Sequence, residues 1–131
     1  MSEDFDRLAA AKYISVTTFR RDGRAVATPV WVVGVGDALY CYSAGDAGKV
    51  KRIRANPRVH LAPCTFKGVA LGETREGEGA LCDDAGERRR AFSALARKYG
   101  VIYRVLSFFS FLAGRIGKRA VLRLTLAPAE G

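Results

Sequence analysis

The sequence has very few of the side chains on which acid–base and metal chemistry depend. Its 131 residues include a single histidine, His60, and only 13 acidic residues against 22 lysines and arginines. A metal site needs several ligands close together, and a nucleophilic serine or cysteine needs a base such as imidazole. We therefore predict no metal site and no catalytic side chain, and we interpret His60 as an ordinary strand residue. An enzyme of this composition would need a cofactor to supply the chemistry.

Disulfide and membrane-spanning patterns are missing as well. The three cysteines, Cys41, Cys64 and Cys82, are odd in number and none has CxxC spacing, which favours reduced thiols in a reducing compartment. The longest apolar run, residues 101–113, is broken by Arg104 and is shorter than the ~20 apolar residues that span a bilayer. The N-terminus has no signal-peptide pattern, so we expect a cytoplasmic protein.

Positive charge, in contrast, is abundant. The formal net charge is +9, which indicates an anionic partner such as nucleic acid, acidic lipid or a phosphorylated small molecule. Nucleic acid is less favoured, because Phe108, Phe109 and Phe111 lie in an apolar segment and do not alternate with basic residues on a strand, as base-stacking platforms do. The length favours a single domain, residues 1–131.

The pattern of apolar residues predicts a mainly β protein. Pro29 lies inside the second predicted strand, where a proline marks an edge, a bulge or a bend. The strands lack a βαβ rhythm and several are joined by turn signals such as Asp22-Gly23, so an antiparallel barrel is the natural way to bury them. We predict six strands, residues 13–19, 26–33, 38–42, 59–65, 74–81 and 120–126, and helices at residues 5–11, 49–55 and 103–113. A further helix is capped by Asp83 or Asp84, runs to about Tyr99 and stops at Gly100.

A glycine-containing loop that leads into a basic helix is the most unusual local feature. Residues 43–59 read SAGDAGKVKRIRANPRV. The loop Gly45-Asp46-Ala47-Gly48 lets the backbone approach an oxyanion closely, and Lys49 lies in the first helical turn, where a cation is unfavourable unless an anion neutralises it. This arrangement resembles a phosphate-binding cradle, although it lacks the GxxxxGK[ST] pattern of a P-loop. The alternative is a solvated basic face.

Three longer strings resemble one known superfamily over residues 5–126. They are TTFRRDGRAVATPVWVV, LYCYSAGDAGKVKRIRANPRVHLAPC and LARKYG. They resemble the split β-barrel superfamily that binds flavins and deazaflavins, which includes pyridoxamine phosphate oxidases and the coenzyme F420-dependent reductases of actinobacteria. The similarity is greatest to the small, single-domain actinobacterial group. It implies a six-stranded antiparallel split β-barrel with flanking short helices, and a homodimer with the cofactor between the subunits.

The resemblance also implies a set of cofactor-binding residues. The strand around Pro29 would run along the tricyclic ring, and the loop and helix start would hold the phosphate. The implied ring contacts are Thr28, Pro29, Val30 and Trp31, and the implied phosphate-side residues are Ser43, Ala47, Gly48, Lys49 and Lys51. The implied activity is reduction of an electron-poor C=C or C=N bond by a hydride from C5 of reduced F420.

Two positions depart from the FMN-dependent oxidases that the sequence resembles. Those enzymes place arginines where this sequence has Thr28 and Gly48. Arginine forks suit the terminal phosphate of FMN, whereas lysines and arginines spread along a helix suit the longer anionic tail of F420. We therefore favour F420. An FMN-binding oxidoreductase of the same fold and a non-catalytic F420-binding carrier remain as alternatives.

The apolar segment of residues 101–113 has two interpretations. We expect it to pack on the barrel or at the dimer interface. The alternative functions are a wall for a bulky planar substrate, or a patch that touches a membrane surface with help from Arg115, Lys118 and Arg119.

Overall fold

The computed structural model describes residues 3–44, 47–114 and 119–127, and these residues form seven strands and three helices. The helices flank the strands, as predicted, and most elements begin and end within one or two residues of the predicted positions. In chain order they are α1 (Glu3–Ala10), β1 (Tyr13–Phe19), β2 (Ala25–Val30), β3 (Val33–Val35), β4 (Ala38–Ala44), α2 (Gly48–Ala55), β5 (Arg58–Cys64), β6 (Arg75–Leu81), α3 (Ala85–Leu112) and β7 (Arg119–Leu126).

All seven strands belong to one antiparallel sheet with the order β2-β1-β5-β6-β7-β4-β3. The two edge strands, β2 and β3, are consecutive in the chain, because β2 ends at Val30 and β3 begins at Val33. Three peptide steps span at most about 11 Å. The sheet therefore curls until its two edges lie close together, which forms an open barrel and confirms the predicted architecture.

The number of strands differs from the prediction of six. The predicted strand of residues 26–33 is broken at Trp31 and Val32, where the chain crosses from one edge of the sheet to the other. Residue pattern alone does not show this break, because valines lie directly on both sides of Trp31 and continue the strand-like pattern. Pro29 lies on the edge strand β2, opposite Ser15 of β1, which is a position where a strand tolerates a residue without an N–H.

Two clusters of buried side chains hold the fold together. One fills the inside of the curled sheet, where Ile14, Val16 and Leu61 are completely buried. The other lies between the first part of α3 and the outer face of β3, β4 and β7, around Leu95 and Val121. The barrel thus has a packed interior of its own, and α3 covers one of its outer faces.

The long helix α3 bends sharply at Gly100. This residue has φ 58° and ψ −126°, values that only glycine adopts readily. Of the two predicted caps, Asp84 is the one that caps the helix, by accepting a hydrogen bond from the Glu87 N–H at 2.8 Å. The predicted stop at Gly100 is a bend instead, and the chain resumes helical geometry at once rather than at Tyr103. None of the helices in the described ranges is long and apolar enough to cross a membrane.

The crossing between β2 and β3 is fixed by two consecutive residues of α3. The Lys98 ammonium donates hydrogen bonds to the carbonyls of Ala9 at 2.8 Å, Ala11 at 2.6 Å and Val32 at 2.7 Å. The Tyr99 hydroxyl donates to the Lys12 carbonyl at 2.7 Å and accepts from the Val32 N–H at 2.9 Å. Burial lowers the pKa of Lys98 to about 8, so at neutral pH the ammonium still carries the three protons that three carbonyls require.

We predict that Lys98→Met lowers the free energy of unfolding by about 2–3 kcal/mol, because three carbonyls lose their donor while the aliphatic stem is retained. Urea unfolding at neutral pH measures this change. Lys67→Met, at an exposed loop position, serves as the control and should change stability by less than about 0.5 kcal/mol. Equal stability of both variants would contradict the role given to Lys98.

Glu87 ties the start of α3 to β4 and β7. Its carboxylate accepts a hydrogen bond from the Tyr40 hydroxyl at 2.6 Å and two from Arg123 Nη1 at 3.0 and 2.9 Å. These donors hold the pKa of Glu87 below its ordinary value, the Tyr40 hydrogen bond contributing most. Because the pKa of Glu87 is lower in the folded state, its contribution to stability is present at neutral pH and is lost as pH falls through the folded pKa.

We expect Glu87→Gln to lower stability by about 1.5 kcal/mol at pH 7. The difference from the parent protein should shrink at pH values below the ordinary range of a glutamate, where the parent carboxyl is itself protonated. Urea unfolding as a function of pH tests this, with Glu78→Gln on the exposed face of β6 as the control. A difference that stays constant as the pH falls would rule out the linkage.

Candidate functional site

A groove of about 290 Å³ lies beside the crossing between β2 and β3. Edge strand β2 supplies one wall, β4 and the start of α2 supply another, and the second half of α3 contributes one side chain at the rim. We call this the aromatic groove, and its lining residues are Tyr13, Pro29, Val30, Trp31, Tyr42, Lys49, Phe66 and Leu106. Its walls are mainly flat aromatic and apolar surfaces with one cation among them.

Trp31 is the best-fixed wall of the aromatic groove. Its ring stacks on that of Tyr99, with centroids 4.4 Å apart and an interplanar angle of 8°. The Trp31 ring also meets the Tyr42 ring edge to face, with centroids 6.5 Å apart and an interplanar angle of 71°. Since the Tyr99 hydroxyl is bonded to the backbone of the crossing, Trp31 is pre-positioned as a flat surface and needs little reorganisation to receive a planar ligand.

Lys49 brings a partly dehydrated positive charge into the aromatic groove. Its ammonium donates to Ser43 Oγ at 2.9 Å. Burial lowers the pKa of Lys49, and the nearby Arg52 guanidinium lowers it further, although the buried Cys41 opposes this. The first turn of α2 contains no acidic residue. Burial of the ammonium and its closeness to another cation and to the positive end of the helix are all unfavourable. A bound anion would offset them, because it would neutralise both the ammonium and the helix end.

Arg52 folds back over the first residue of α2. Its Nε donates to Oγ1 of the buried Thr18 at 2.6 Å, and a Cβ placed on Gly48 would lie only 2.7 Å from Arg52 Nη1. The guanidinium can therefore occupy this place only because residue 48 has no side chain. Its remaining nitrogens have no hydrogen-bond acceptor within the described parts of the chain.

A second cavity, of about 410 Å³, also lies at the start of α2. It separates the helix from the turn between β1 and β2, and we call it the basic cavity. Among its described lining residues Asp22 is the one acid, and Asp22 already pairs with Arg24 at 2.7 Å. The described residues thus leave the cavity with an excess of positive charge. Its lining residues are Arg20, Arg21, Asp22, Arg24, Gly48, Lys51 and Arg52.

The structure brings most of the predicted site residues to these two cavities. Ser43 positions Lys49, and the Ala47 carbonyl accepts the first hydrogen bonds of α2, from Val50 N at 3.1 Å and Lys51 N at 3.3 Å. Three predicted residues, Thr28, Ser43 and Ala47, line neither cavity, and Thr28 pairs with Val16 of β1 on the edge strand β2. Pro29, Val30, Trp31 and Lys49 line the aromatic groove, and Gly48 and Lys51 line the basic cavity. Gly45 and Asp46, also part of the predicted cradle, lie outside the described residues.

Sequence reasoning missed the lining residues that come from distant segments. Tyr13, Tyr42 and Phe66 reach the aromatic groove from three separate segments, and no local pattern marks them. Leu106 belongs to the apolar segment of residues 101–113, for which a wall against a planar substrate was one alternative. The arginines of the β1–β2 turn had a visible signal, since Arg20, Arg21 and Arg24 surround the predicted Asp-Gly turn. Their role depends on the position of α2, which the sequence does not give.

His60 lies away from both cavities, on β5. Its ring meets the Phe19 ring edge to face, with centroids 5.0 Å apart, and its Nε2 lies 3.4 Å from Glu76 Oε1. It is a partnered strand residue, as predicted. Within the described ranges, no group of three or more histidine, cysteine or acidic side chains is arranged to hold a metal ion.

Comparison with known proteins agrees with this geometry. The sequence model of the pyridoxamine 5'-phosphate oxidase family matches residues 2–130. None of the curated proteins compared with the chain matches it. Among solved structures, an F420 reductase is 16% identical with a TM-score of 0.63, covering 98% of this chain and 97% of that one.

Two further solved structures show how varied such proteins are. An FAD-binding protein from Mesorhizobium loti is 20% identical with a TM-score of 0.61, covering 92% of this chain and 83% of that one. The heme storage protein HutZ from Vibrio cholerae is 13% identical with a TM-score of 0.69, and the match covers 92% of this chain and 84% of that one. At these identities the similarity establishes the fold alone.

The relation between Gly48 and Arg52 generates a prediction. Gly48→Ala should displace the Arg52 guanidinium and weaken the binding of inorganic pyrophosphate by about five- to tenfold, the loss of one charge-assisted hydrogen bond. Calorimetric titration at low salt measures this affinity. The exposed Arg54 lies on the same helix but lines neither cavity, so Arg54→Ala is the control. Unchanged affinity in Gly48→Ala would show that Arg52 does not contribute.

Proposed function

The chain belongs to the pyridoxamine 5'-phosphate oxidase family, and we propose that it is an oxidoreductase that binds coenzyme F420 and reduces an electron-poor C=C or C=N bond. One observation carries the proposal. Gly48 lines the basic cavity and the next residue, Lys49, lines the aromatic groove, so a cationic surface and a flat apolar surface lie close together at the start of α2. A planar tricyclic ring with an extended anionic tail has the matching chemistry.

The residues present fit each part of such a cofactor. The ring would lie against Trp31 and the edge strand at Pro29 and Val30, which offer apolar and aromatic contact. The Lys49 ammonium would bind the phosphodiester, and Lys51 and Arg52 would bind the charges that follow it. Each of these cations lines one of the two cavities, and each lacks a carboxylate partner in the described part of the chain.

The choice of F420 over FMN rests on how far the positive charge extends. The missing arginine at Gly48 does not by itself disfavour FMN, because the Arg52 guanidinium occupies the space above Gly48. The basic cavity, however, continues from Arg52 to Arg20 and Arg21 on the opposite turn. FMN ends at its phosphate, whereas F420 continues into a lactate and oligoglutamate tail whose carboxylates would find these arginines.

Reduced F420, when bound, supplies a hydride from its C5. The chain's own contribution is to hold the acceptor against the ring and to exclude water with the walls of the aromatic groove. Three side chains in the groove, Tyr13, Tyr42 and Lys49, carry protons that a product could take up. Burial raises the pKa of Tyr42 and lowers that of Lys49.

We extend the proposal to a homodimer that closes the cofactor site. The aromatic groove is open on one side, and Phe66 at its rim is 73% exposed. A ligand of this size usually has 70–90% of its surface covered, and a second copy would supply the missing wall.

We also propose a cytoplasmic location, supported by three buried cysteines without disulfide partners.

A titration of the purified chain with oxidised F420, and separately with FMN, tests the proposal. Quenching of Trp31, the single tryptophan, reports occupancy of the aromatic groove. We expect micromolar or tighter binding of F420 and weaker binding of FMN. Lys49→Ala should weaken F420 binding by about 1–3 kcal/mol, the scale of a charge-assisted hydrogen bond, whereas Arg54→Ala should leave it nearly unchanged.

The alternatives give different results in the same experiment. Tight FMN binding without F420 binding would identify an FMN-dependent oxidoreductase. F420 binding without oxidation of the reduced cofactor by any of a panel of electron-poor acceptors would indicate a carrier. Binding of neither cofactor would overturn the proposal, and equal F420 affinity in Lys49→Ala would remove Lys49 from the site.

A further inference from the structure

The second half of α3, residues 101–112, is oriented with its apolar side toward solvent. We call it the apolar arm. The side chains that face the barrel are the buried Tyr103 and the half-buried Ser107 and Ser110. Eight large apolar side chains on the other sides are 46–74% exposed; they are Val101, Ile102, Val105, Leu106, Phe108, Phe109, Phe111 and Leu112. This is the reverse of an ordinary surface helix, whose apolar stripe faces the core.

The outward side chains form a continuous stripe. Val101, Val105, Phe108 and Leu112 follow one another at spacings of four, three and four residues, so they lie on one face of the helix. Phe109 and Phe111 flank the stripe. The three phenylalanines alone each present about 100 Å² or more, and the whole surface exceeds the roughly 300–600 Å² that the largest apolar patch of a soluble monomer usually covers. Such a surface requires a partner.

The barrel holds the apolar arm firmly in this orientation. The Arg119 guanidinium at the start of β7 lies over the rings of Phe92 at 4.2 Å, Tyr42 at 5.2 Å and Tyr103 at 5.9 Å. Its Nη1 also donates to Ser107 Oγ at 3.4 Å. Because Tyr103 and Ser107 belong to the arm, the arm is attached to the barrel through its polar side, and the apolar stripe faces outward as a consequence.

Charge decides between the candidate partners. Residues 101–118 contain no aspartate or glutamate and three basic residues, Arg104, Arg115 and Lys118, of which Arg115 and Lys118 lie outside the described residues. Two copies that met through this segment would bring like charges together, which disfavours pairing. A surface that combines an apolar interior with negative charge, such as a membrane with acidic lipids, complements both the stripe and the basic residues.

We propose that the apolar arm docks the protein on a membrane surface that contains acidic lipids. The arm is about 18 Å long, too short to span a bilayer, so it lies in the plane of the interface with its outward stripe among the upper parts of the acyl chains. The exposed Arg104, beside the stripe, contacts lipid phosphates. This inference goes beyond the proposed cofactor chemistry and does not depend on it.

Vesicle flotation of the full chain tests the proposal. The lipids are phosphatidylcholine alone, or phosphatidylcholine with about one third phosphatidylglycerol. We expect binding to the acidic vesicles, little binding to phosphatidylcholine alone, and a marked loss of binding when salt is raised from about 0.1 M to about 1 M. The double variant Phe108→Ser with Leu112→Ser should weaken binding to acidic vesicles at least about tenfold.

The matched control removes apolar side chains of similar exposure from elsewhere. Val69→Ser with Leu71→Ser alters the exposed loop between β5 and β6, where Leu71 is 67% exposed, against 63% for Leu112. We expect this control to bind acidic vesicles as the parent does. Far-UV circular dichroism and thermal unfolding verify that both variants are folded, which is expected because all four side chains lie on the surface.

Several outcomes would overturn the proposal. The first is that the parent protein shows no binding to acidic vesicles. The second is that the Phe108/Leu112 variant binds them as well as the parent does, and the third is that the control variant loses as much binding as the Phe108/Leu112 variant. The arm could instead pack against a second copy of the chain. In that case the parent would fail to bind vesicles, and light scattering would show an oligomer that dissociates in the Phe108/Leu112 variant. That result would assign the arm to a second copy of the chain.

Discussion

The two-residue crossing at Trp31 and Val32 is the constraint on which the rest of the structure depends. It joins the two edge strands of the sheet, so the sheet must curl into an open barrel. Val32 points into the barrel core and is completely buried, while Trp31 lines the aromatic groove. Lys98 and Tyr99 hold the backbone of the crossing. Barrel closure and the shape of the candidate site therefore have the same cause.

A second theme is positive charge that the described residues of the chain do not neutralise. Lys49 and Arg52 lie at the positive end of α2 with no acidic residue in its first turn, and the arginines of the β1–β2 turn face them across the basic cavity. Such an arrangement costs electrostatic free energy in the empty protein. The cost is offset when an anion binds, which is why the basic cavity, together with the adjoining aromatic groove, supports a ligand with a flat ring and an anionic tail.

The sequence predicted the features that arise locally and missed those that arise from distant segments. The strand of residues 13–19 and the cap at Asp84 follow from side-chain pattern and short-range hydrogen bonding, and they are confirmed. The helix start at Gly48 and Lys49 was found because glycine and a first-turn lysine leave a local signal. The break at Trp31 and the fold-back of Arg52 over Gly48 depend on which elements become neighbours, and no short window of sequence contains that information. The outward orientation of the apolar arm likewise follows from the contact of Arg119 with Tyr103, between residues far apart in the chain.

The central claim is that Lys49 marks the junction between the ring and the anionic part of a bound cofactor. A crystal structure of the chain with oxidised F420 tests it most directly. The account predicts the deazaflavin ring against Trp31 and Val30, the phosphodiester within hydrogen-bonding distance of Lys49 Nζ, and the tail directed toward Arg52 and the β1–β2 turn. A cofactor bound elsewhere, or bound in the groove with its phosphate far from Lys49 and Arg52, would contradict it.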